Sequence, residues 1–362
     1  MTEFNTKLIH VPDGEKFDGS VTVPIYKATT YQYPSVERLV RFDYSRSGNP
    51  TRFALEQQLA ELEEGDRGFA FSSGMAAIHA ALAIFKAGDH LVVGDQIYGG
   101  TFRLLYQFFK QWGLEITAVD TRDSRAIESA IQPNTKAIYF EPITNPLLRV
   151  TSVENVAQIA QKHDLLTIVD NTFLSPYYLK PIPLGADIVV HSATKYLSGH
   201  SDLLGGILVV KDPQLASQYY DYYITTGDTL DSFDSWLLLR SLKTLKVRMK
   251  QHTANAKKIV EFLKQDSRVT KVLYPSQGGM VSFYLQNEQQ VEAVLNNVKV
   301  ITFAESLGGV ESLITIPYYQ THADVAEEQR KRLGITPTLL RLSVGLEDPT
   351  DLINDLKQAL DR

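Results

Sequence analysis

The chain has 362 residues, a length that predicts about two domains at roughly 150 residues each. Hydrophobic residues make up 44% and charged residues 22%, as in ordinary globular proteins, so disorder, collagen and coiled coil do not describe the whole chain. The net charge is −6 and there is no block of basic residues, which argues against general nucleic-acid binding and a basic membrane tether. The absence of cysteine excludes disulfides, cysteine-ligated zinc, iron–sulfur clusters and cysteine nucleophiles.

The first residues and the hydropathy of the chain bear on its location. Residues 1–5 are polar and acidic, unlike a secretory signal. No apolar stretch approaches the roughly 18 residues that a membrane helix needs. We therefore expect a soluble, cytoplasmic protein that binds neither nucleic acid nor a membrane.

Residues 1–48 differ from the rest of the chain. Glycine and proline interrupt them, tyrosine is frequent and no period runs through them, which predicts an extended arm that contacts another surface. A helix is predicted from Pro50, a residue suited to a first helical turn, to Gly65. We therefore predict a large domain over residues 49–248 and a smaller C-terminal α/β domain over residues 249–362.

Between residues 68 and 190, short apolar runs alternate with amphipathic helices. The predicted strands occupy residues 68–71, 90–93, 115–119, 137–140, 166–169 and 188–190, and the predicted helices residues 75–85, 101–112, 124–131 and 153–163. This alternation predicts β-α-β units and a mostly parallel sheet. In the C-terminal region, the pattern predicts helices at residues 254–263 and 289–295 and strands at residues 269–274, 280–284, 300–303 and 339–344.

The residues that follow each predicted strand are candidates for a site, because ligands bind beyond the carboxyl ends of parallel strands. Ser73, Gly74 and Met75 lie between a strand and a helix, where free main-chain N–H groups favour a phosphate; a simple helix cap is the alternative. Asp170 ends a buried strand. It could bind a metal, act as an acid or base, pair with a cationic ring nitrogen, or cap the loop that follows.

Lys195 follows the next apolar run, beside Ser192 and Thr194. A lone lysine is commonly a solvated charge, but one held at a strand end can form a Schiff base with an aldehyde. A lysine, an acid for a ring nitrogen and a helix start with hydroxyl groups for a phosphate together match the needs of pyridoxal phosphate. Tyr98 lies on a glycine-rich turn, where its ring can stack on the cofactor; a tyrosine of the core is the alternative.

Other common site signatures are missing. The sequence has no G-x-G-x-x-G, G-x-x-x-x-G-K-[ST], G-x-S-x-G or H-E-x-x-H motif, so a nicotinamide oxidoreductase is disfavoured. The spacing of His191 and His200 does not require a metal, and no metal site is expected. A non-catalytic cofactor-binding protein is disfavoured because Lys195, Asp170 and Tyr98 are all present.

Several longer segments stand in one order along nearly the whole chain. They read YSRSGNPT (44–51), FSSGMAA (71–77), YGGT (98–101), VDNT (169–172), HSATKYLSGHSD (191–202), AESLGGVESL (304–313) and LRLSVGLED (340–348). Together they resemble the trans-sulfuration family of pyridoxal-phosphate enzymes. The resemblance implies pyridoxal 5′-phosphate as cofactor. It also implies an α/β fold of the aspartate-aminotransferase type (fold type I), with a mostly parallel central sheet, helices on both its faces and a smaller C-terminal α/β domain.

The resemblance implies roles for single residues around the cofactor. Lys195 would form the Schiff base and move protons, Asp170 would pair with the pyridine nitrogen, and Tyr98 would stack on the ring and take part in acid–base steps. The remaining cofactor-binding positions of the large domain are Gly74, Met75, Thr172, Ser192 and Thr194.

Tyr44 and Arg46 match family positions that reach the phosphate of the neighbouring subunit. That match gives the N-terminal arm a purpose. It makes a dimer with shared sites the minimal active unit, usually within a tetramer.

The resemblance also places an amino-acid substrate. Asn145, Ser306 and Arg341 match positions that bind the substrate α-carboxylate, a task suited to the planar fork of arginine. Glu305, next to Ser306, is included among the substrate-binding residues. The partners implied are therefore small amino acids.

Some positions depart from the family pattern. Residues 141–146 read EPITNP where the family usually reads ETPTNP, which keeps Asn145 in register. Methionine γ-lyases usually carry a cysteine at the position of Gly100, which argues against that activity. Residues 273–280 (LYPSQGGM) form a shorter stretch than in most members. Shortened versions resemble a group of cystathionine γ-synthases that also act as O-acetylhomoserine thiolyases.

These features predict a transferase of methionine biosynthesis. We expect γ-replacement on an activated homoserine ester, O-acetylhomoserine, with cysteine to give cystathionine or with sulfide to give homocysteine. The alternative is a cystathionine γ-lyase, which would release cysteine, 2-oxobutanoate and ammonia. Glu305 does not separate the two.

Overall fold

The computed structural model describes residues 3–12, 19–323 and 325–362. Of the predicted N-terminal arm, residues 1, 2 and 13–18 lie outside the described residues. Helix α1 (Phe4–Ile9) is followed over residues 19–48 by turns, bends and an isolated bridge between Thr30 and Tyr44. Leu8 of α1 belongs to the same apolar cluster as Leu55, so the beginning of the chain packs on its own large domain.

Helix α2 (Pro50–Glu63) begins where the sequence predicted it. Oδ1 of Asn49 accepts hydrogen bonds from the main-chain N–H groups of Thr51 (3.0 Å) and Arg52 (3.3 Å), and Pro50 lies in the first turn. Glu64 is left-handed (φ 61°) and ends the helix just before Gly65. Local sequence signals are therefore sufficient to define both ends.

The large domain is built on a seven-stranded sheet. Its strands are β1 (Arg67–Phe71), β2 (His90–Gly94), β3 (Glu115–Val119), β4 (Thr135–Phe140), β5 (Leu166–Asp170), β6 (Ile188–Ser192) and β7 (Gly206–Val210), in the order β1-β7-β6-β5-β4-β2-β3. Strands β3, β2, β4, β5 and β6 are parallel to their neighbours, and only β7 runs antiparallel to the strands beside it. The prediction of a mostly parallel sheet is confirmed.

Strand β7 was not predicted. It follows β6 without an intervening helix, so the alternation of strands and helices gives no signal for it. Its pairing between β1 and β6 covers what would otherwise be two sheet edges. This insertion also creates the connection over residues 193–205, which carries Lys195.

Helices cover both faces of the large sheet. They are α3 (Gly74–Leu82), α4 (Gly99–Arg103), α5 (Ser124–Ala130), α6 (Val153–Lys162), α7 (Ser175–Tyr178), α8 (Pro213–Thr226) and α9 (Ser232–Leu242). One apolar cluster joins α3 and α8 to the sheet, and another joins α6 to the opposite face. The single helix predicted for residues 101–112 is instead α4 followed by the π-helical segment Leu104–Phe109, a difference in turn width that apolar spacing does not reveal.

The small domain begins with a helix that starts earlier than predicted. Helix α10 (Leu245–Gln265) crosses the predicted boundary at residues 248–249. The five-stranded sheet consists of β8 (Val269–Leu273), β9 (Met280–Leu285), β10 (Thr302–Phe303), β11 (Leu313–Thr315) and β12 (Leu339–Ser343), in the order β10-β11-β12-β9-β8. Helices α11 (Glu288–Asn297), α12 (Glu327–Leu333) and α13 (Pro349–Leu360) complete the domain. Strand β11 escaped prediction because three residues are too few to establish a period.

Two searches of the described part of the chain were negative. None of its helices is long and apolar enough to cross a membrane. Its His, Asp and Glu side chains form no group that could hold a metal ion.

The two domains meet at the backbone of Lys195. Arg248 of α10 donates a hydrogen bond to the main-chain oxygen of Tyr196 (2.6 Å), and the Tyr196 hydroxyl accepts one from the N–H of Gly279 (3.1 Å). A Cβ added to Gly308 would lie 2.8 Å from the nitrogen of Tyr196 and 3.1 Å from the carbonyl carbon of Lys195. The backbone around Lys195 is therefore held from both domains.

This close approach makes a stability prediction. Gly308 is left-handed (φ 78°), and so is Gly88 (φ 86°), but a Cβ at Gly88 would meet nothing within 4 Å. Gly308→Ala should lower the free energy of unfolding by about 2–4 kcal/mol, because conformational strain adds to displacement of the Lys195 backbone. Gly88→Ala should cost only the strain, about 1 kcal/mol. Chemical denaturation measures both, and equal losses would contradict the proposed contact.

Candidate active site

A cavity of about 250 Å³ lies at the carboxyl ends of β4, β5 and β6, facing β12 of the small domain. Its lining includes every site residue predicted from the sequence except Tyr44 and Arg46, namely Gly74, Met75, Tyr98, Asn145, Asp170, Thr172, Ser192, Thr194, Lys195, Glu305, Ser306 and Arg341. A wider groove of about 740 Å³ beside α11 contains none of them. The chemistry of the molecule is thus gathered in the smaller space between the domains.

One end of the cavity is suited to a phosphate. The side chain of Ser73 caps α3 by accepting a hydrogen bond from the N–H of Ala76 (3.1 Å), while the first N–H groups of the helix remain available to an anion. A Cβ at Gly74 would lie 2.7 Å from the Cβ of Ser192. Glycine therefore lets the helix start approach the end of β6, and Thr194 lies on the same side of the cavity.

Lys195 projects into the cavity from the connection between β6 and β7. Its Nζ donates a hydrogen bond to Oγ of Ser306 at 2.9 Å. Burial lowers the pKa of Lys195 to about 8; the positive charge of Arg341 contributes to the lowering, whereas Glu305 opposes it. A larger fraction of this amine is therefore neutral near neutral pH than for an ordinary lysine, as a nucleophile or base requires.

Asp170 presents a buried carboxylate from the end of β5. Its Oδ1 accepts hydrogen bonds from the hydroxyl (2.6 Å) and the N–H (3.1 Å) of Thr172. The Thr172 hydroxyl oxygen also accepts one from the N–H of Ser192 (2.9 Å), which ties the ends of β5 and β6 together. Burial raises the pKa of Asp170, while the Thr172 hydrogen bonds and the nearby His191 act against that rise.

Tyr98 lies between β2 and α4, with its main-chain N–H bonded to Oε1 of Glu141 at 2.6 Å. The side chain is 44% exposed and lines the cavity. That exposure removes the alternative of a core tyrosine. The ring is available to stack on a planar ligand.

The other end of the cavity is suited to a carboxylate. Arg341 of β12 is 2% exposed and donates to Oδ1 of Asn145 (3.0 Å) and to the main-chain oxygen of Ser306 (2.9 Å). Its Nε has no hydrogen-bond partner among the described residues. Burial lowers the pKa of Arg341 to about 10, which leaves it cationic at neutral pH and in need of an anion. Asn145 keeps this contact despite the departure at residues 142–143.

Tyr44 and Arg46 do not reach the cavity of their own chain. The guanidinium of Arg46 donates to the main-chain oxygen of Ile224 and lies 5.7 Å from the centre of the Tyr44 ring. Tyr44 is 44% exposed. Their predicted role toward a neighbouring subunit stays a prediction.

Some residues of the cavity were not assigned roles from the sequence. Glu141 was noted only as a polar residue after a strand, yet it lies beside both Tyr98 and Asp170. Thr321 lines the cavity, and Nε2 of the adjacent His322 lies 3.1 Å from the main-chain oxygen of Asn145. Burial lowers the pKa of His322 to about 4, so its ring is neutral. The segment around His322 carries no periodic signal that could have found it.

The donor set fits pyridoxal phosphate. A helix start with Gly74 in close approach suits the phosphate, the hydrogen-bonded carboxylate of Asp170 suits a protonated ring nitrogen, and Lys195 supplies an amine of lowered pKa. The unpartnered Nε of Arg341 leaves room for an amino-acid carboxylate. No residue of the cavity conflicts with this ligand.

The fold and the site together define a pyridoxal-phosphate enzyme of fold type I. The family model described as "Cys/Met metabolism PLP-dependent enzyme" matches residues 5–361, and the chain belongs to this family. The resemblance found in the sequence, the cofactor and the fold class are thereby confirmed.

Individual relatives are similar over nearly the whole chain. A cystathionine gamma-synthase/O-acetylhomoserine (thiol)-lyase of Bacillus subtilis is 49% identical, covering 98% of this chain and 95% of its own. A cystathionine beta-lyase of Lactococcus lactis is 46% identical, covering 100% of both chains. The solved structure of cystathionine gamma-lyase from Lactobacillus plantarum complexed with L-serine gives a TM-score of 0.96 at 46% identity, covering 99% of both chains. These relatives are named for different reactions.

The lowered pKa of Lys195 makes a prediction for the cofactor-free protein. Only the neutral amine attacks an aldehyde, so borohydride trapping of pyridoxal phosphate on Lys195 should rise with pH and level off above about 8. Solvent-exposed lysines should continue to gain label toward about pH 10. Peptide mass spectrometry after trapping measures both, and Lys195→Ala identifies the labelled peptide. A Lys195 profile that follows the exposed lysines would contradict the burial argument.

Proposed function

We propose that the protein is a cytoplasmic transferase that replaces the γ-substituent of O-acetylhomoserine. With cysteine the products are cystathionine and acetate; with sulfide they are homocysteine and acetate. The reaction would serve methionine biosynthesis. The observation that carries this choice is the 49% identity, over 98% of the chain, to a relative named for both activities.

The proposed roles of the residues follow from their positions. Bound pyridoxal phosphate supplies an electron sink for carbanions at substrate carbon atoms. Arg341 and Asn145 are proposed to hold the substrate α-carboxylate through the fork that Arg341 presents from β12. Asp170 is proposed to keep the cofactor ring nitrogen protonated, and Tyr98 to cover the ring.

Lys195 is proposed as the base that moves protons at substrate carbon. Its Nζ is hydrogen-bonded to the hydroxyl of Ser306, whose main-chain oxygen is bonded to Arg341. The amine is therefore one residue away from the proposed carboxylate anchor, close to where the substrate Cα would lie. Departure of acetate from Cγ requires proton removal first at Cα and then at Cβ, and one mobile amine can reach both carbon atoms.

Glu305 is proposed to receive the incoming amino acid. It is an exposed carboxylate on the cavity lining, and its charge acts on both Lys195 and Arg341. A negative charge at the opening attracts the ammonium group of cysteine. Sulfide has no such group, so the contact would favour cysteine as the nucleophile.

The second candidate is cystathionine γ-lyase. The TM-score of 0.96 and 46% identity to a γ-lyase structure support it. The residues proposed above would serve this reaction too, because cleavage at Cγ uses the same anchor and base. The difference lies in whether a thiol or proton transfer follows departure of the group.

An assay with purified protein separates the candidates. With O-acetylhomoserine and cysteine we expect cystathionine and acetate in equal amounts, because the thiol takes the place of the leaving acetate. With cystathionine alone we expect slow release of 2-oxobutanoate. Mass spectrometry and a keto-acid assay measure the products, with Lys195→Ala as the inactive control. Rapid keto-acid release from cystathionine, without synthesis from the ester, would reject the synthase in favour of the lyase.

We further propose that residues 1–48 complete the site of a second copy of the chain, beside a cofactor domain at 49–248 and a small domain at 249–362. Tyr44 and Arg46 are absent from their own cavity. The described part of the arm exposes Val21, Val36 and Leu39 almost fully, which favours coverage by another surface. A dimer, or a tetramer built from dimers, would supply that surface.

Subunit mixing tests the shared site. Lys195→Ala and Arg46→Ala should each be nearly inactive. In a mixture that has been dissociated and reassociated, half of the dimers are hybrids with one intact site, so about a quarter of the wild-type activity should return. Initial rates before and after mixing measure this. If each variant keeps its own low rate after mixing, with exchange verified by native mass spectrometry, Arg46 acts within its own chain.

A further inference from the structure

Glu141 is a buried carboxyl group without an assigned role. It follows β4, is 6% exposed, and separates the cavity from a narrow space lined by charged residues. Its Oε1 accepts a hydrogen bond of 2.6 Å from the main-chain N–H of Tyr98. Tyr98 is the residue before α4, so this single contact fixes the backbone that carries its ring.

The narrow space offers Glu141 no free positive charge. Arg122 is paired with Asp120 at 2.5 Å, and Nη1 of Arg149 lies 4.0 Å from both Asp120 and Asp95. The two arginines are thus matched by two carboxylates. Within the described part of the chain, no cation lies within ion-pair distance of Glu141.

The cavity side adds negative charge. The groups that face Glu141 there are Asp170 and the phenols of Tyr139 and Tyr98; the Tyr139 hydroxyl lies 3.5 Å from Oδ2 of Asp170. The cations of the same cavity, Lys195 and Arg341, are bonded to other groups. Burial and the charge of Asp170 raise the pKa of Glu141 well above its usual value, against the opposing effect of main-chain N–H groups.

Two buried carboxyl groups that share one site do not both ionise at neutral pH. Asp170 receives side-chain and main-chain hydrogen bonds from Thr172 and lies near His191 and the Tyr139 hydroxyl. Glu141 receives only main-chain N–H groups. The negative charge of the pair therefore belongs on Asp170.

We propose that Glu141 is a positioning residue that acts uncharged, holding the main chain of Tyr98 so that its ring faces the cavity and leaving the charge of the pair to Asp170. This rests on the proposed roles of Tyr98 and Asp170. The carboxyl is needed as a hydrogen-bond acceptor of the right length. Its charge is not needed.

Two substitutions separate acceptor from charge. Glu141→Gln keeps the length and the acceptor oxygen and has no charge. We expect its holoenzyme to match the wild type in visible circular dichroism, in the pH dependence of the absorption spectrum and in cofactor dissociation. Glu141→Ala removes the acceptor, so visible circular dichroism should change and cofactor affinity should fall by about tenfold.

Further variants keep the test decisive. Glu128→Gln, an exposed residue of α5, controls for loss of a carboxylate elsewhere. If Glu141→Ala does not fold, Glu141→Asp takes its place, because the shorter side chain withdraws the acceptor from Tyr98. Activity is measured beside the spectra: kcat should fall in the Ala or Asp variant and stay within about twofold in the Gln variant.

Two results would overturn the proposal. A shift in the pH profile of the absorption spectrum in Glu141→Gln would mean that the native group is charged. Unchanged circular dichroism and cofactor affinity in the Ala and Asp variants would mean that Glu141 does not position Tyr98. These readouts do not depend on the reaction catalysed, so a failed synthase assay with the expected spectra rejects the proposed function alone.

Discussion

The hydrogen bonds of Ser306 connect the two halves of the site. Its hydroxyl accepts from Nζ of Lys195, which belongs to the large domain, and its main-chain oxygen accepts from Arg341 of the small domain. Base and carboxylate anchor are thereby set at a fixed separation across a domain boundary. Ser306 itself is left-handed (φ 90°), an uncommon conformation for serine and one that surrounding contacts must maintain.

The electrostatics of the cavity follow from burial. Lys195, Arg341 and Asp170 are charged groups removed from water, and each has fewer partners than its charge could bind. Partial satisfaction destabilises the empty protein, because desolvation is not fully offset. A phosphorylated ring and an amino-acid carboxylate supply the missing partners, so the same arrangement favours binding.

Sequence reasoning succeeded where chemistry and local pattern coincide. Lys195, Asp170 and Gly74 were identified because each follows a predicted strand, at the edge where a parallel sheet binds ligands. It failed for β7, which interrupts the alternation, and for the π-helical turn after α4. Glu141 remained without a role because nothing in its own segment indicates that Tyr98 and Asp170 lie beside it.

The sequence alone determined the class of protein, since pyridoxal phosphate demands particular residue types at strand ends and these can be read in order. Only the tertiary structure decided which distant residues meet. Arg341 and Asn145 are 196 positions apart and touch because β12 of one domain faces the end of β4 in the other. The state of a buried charge was likewise decided by packing, because the pKa of Lys195 or Glu141 depends on the water excluded and the charges nearby, neither of which is local in sequence.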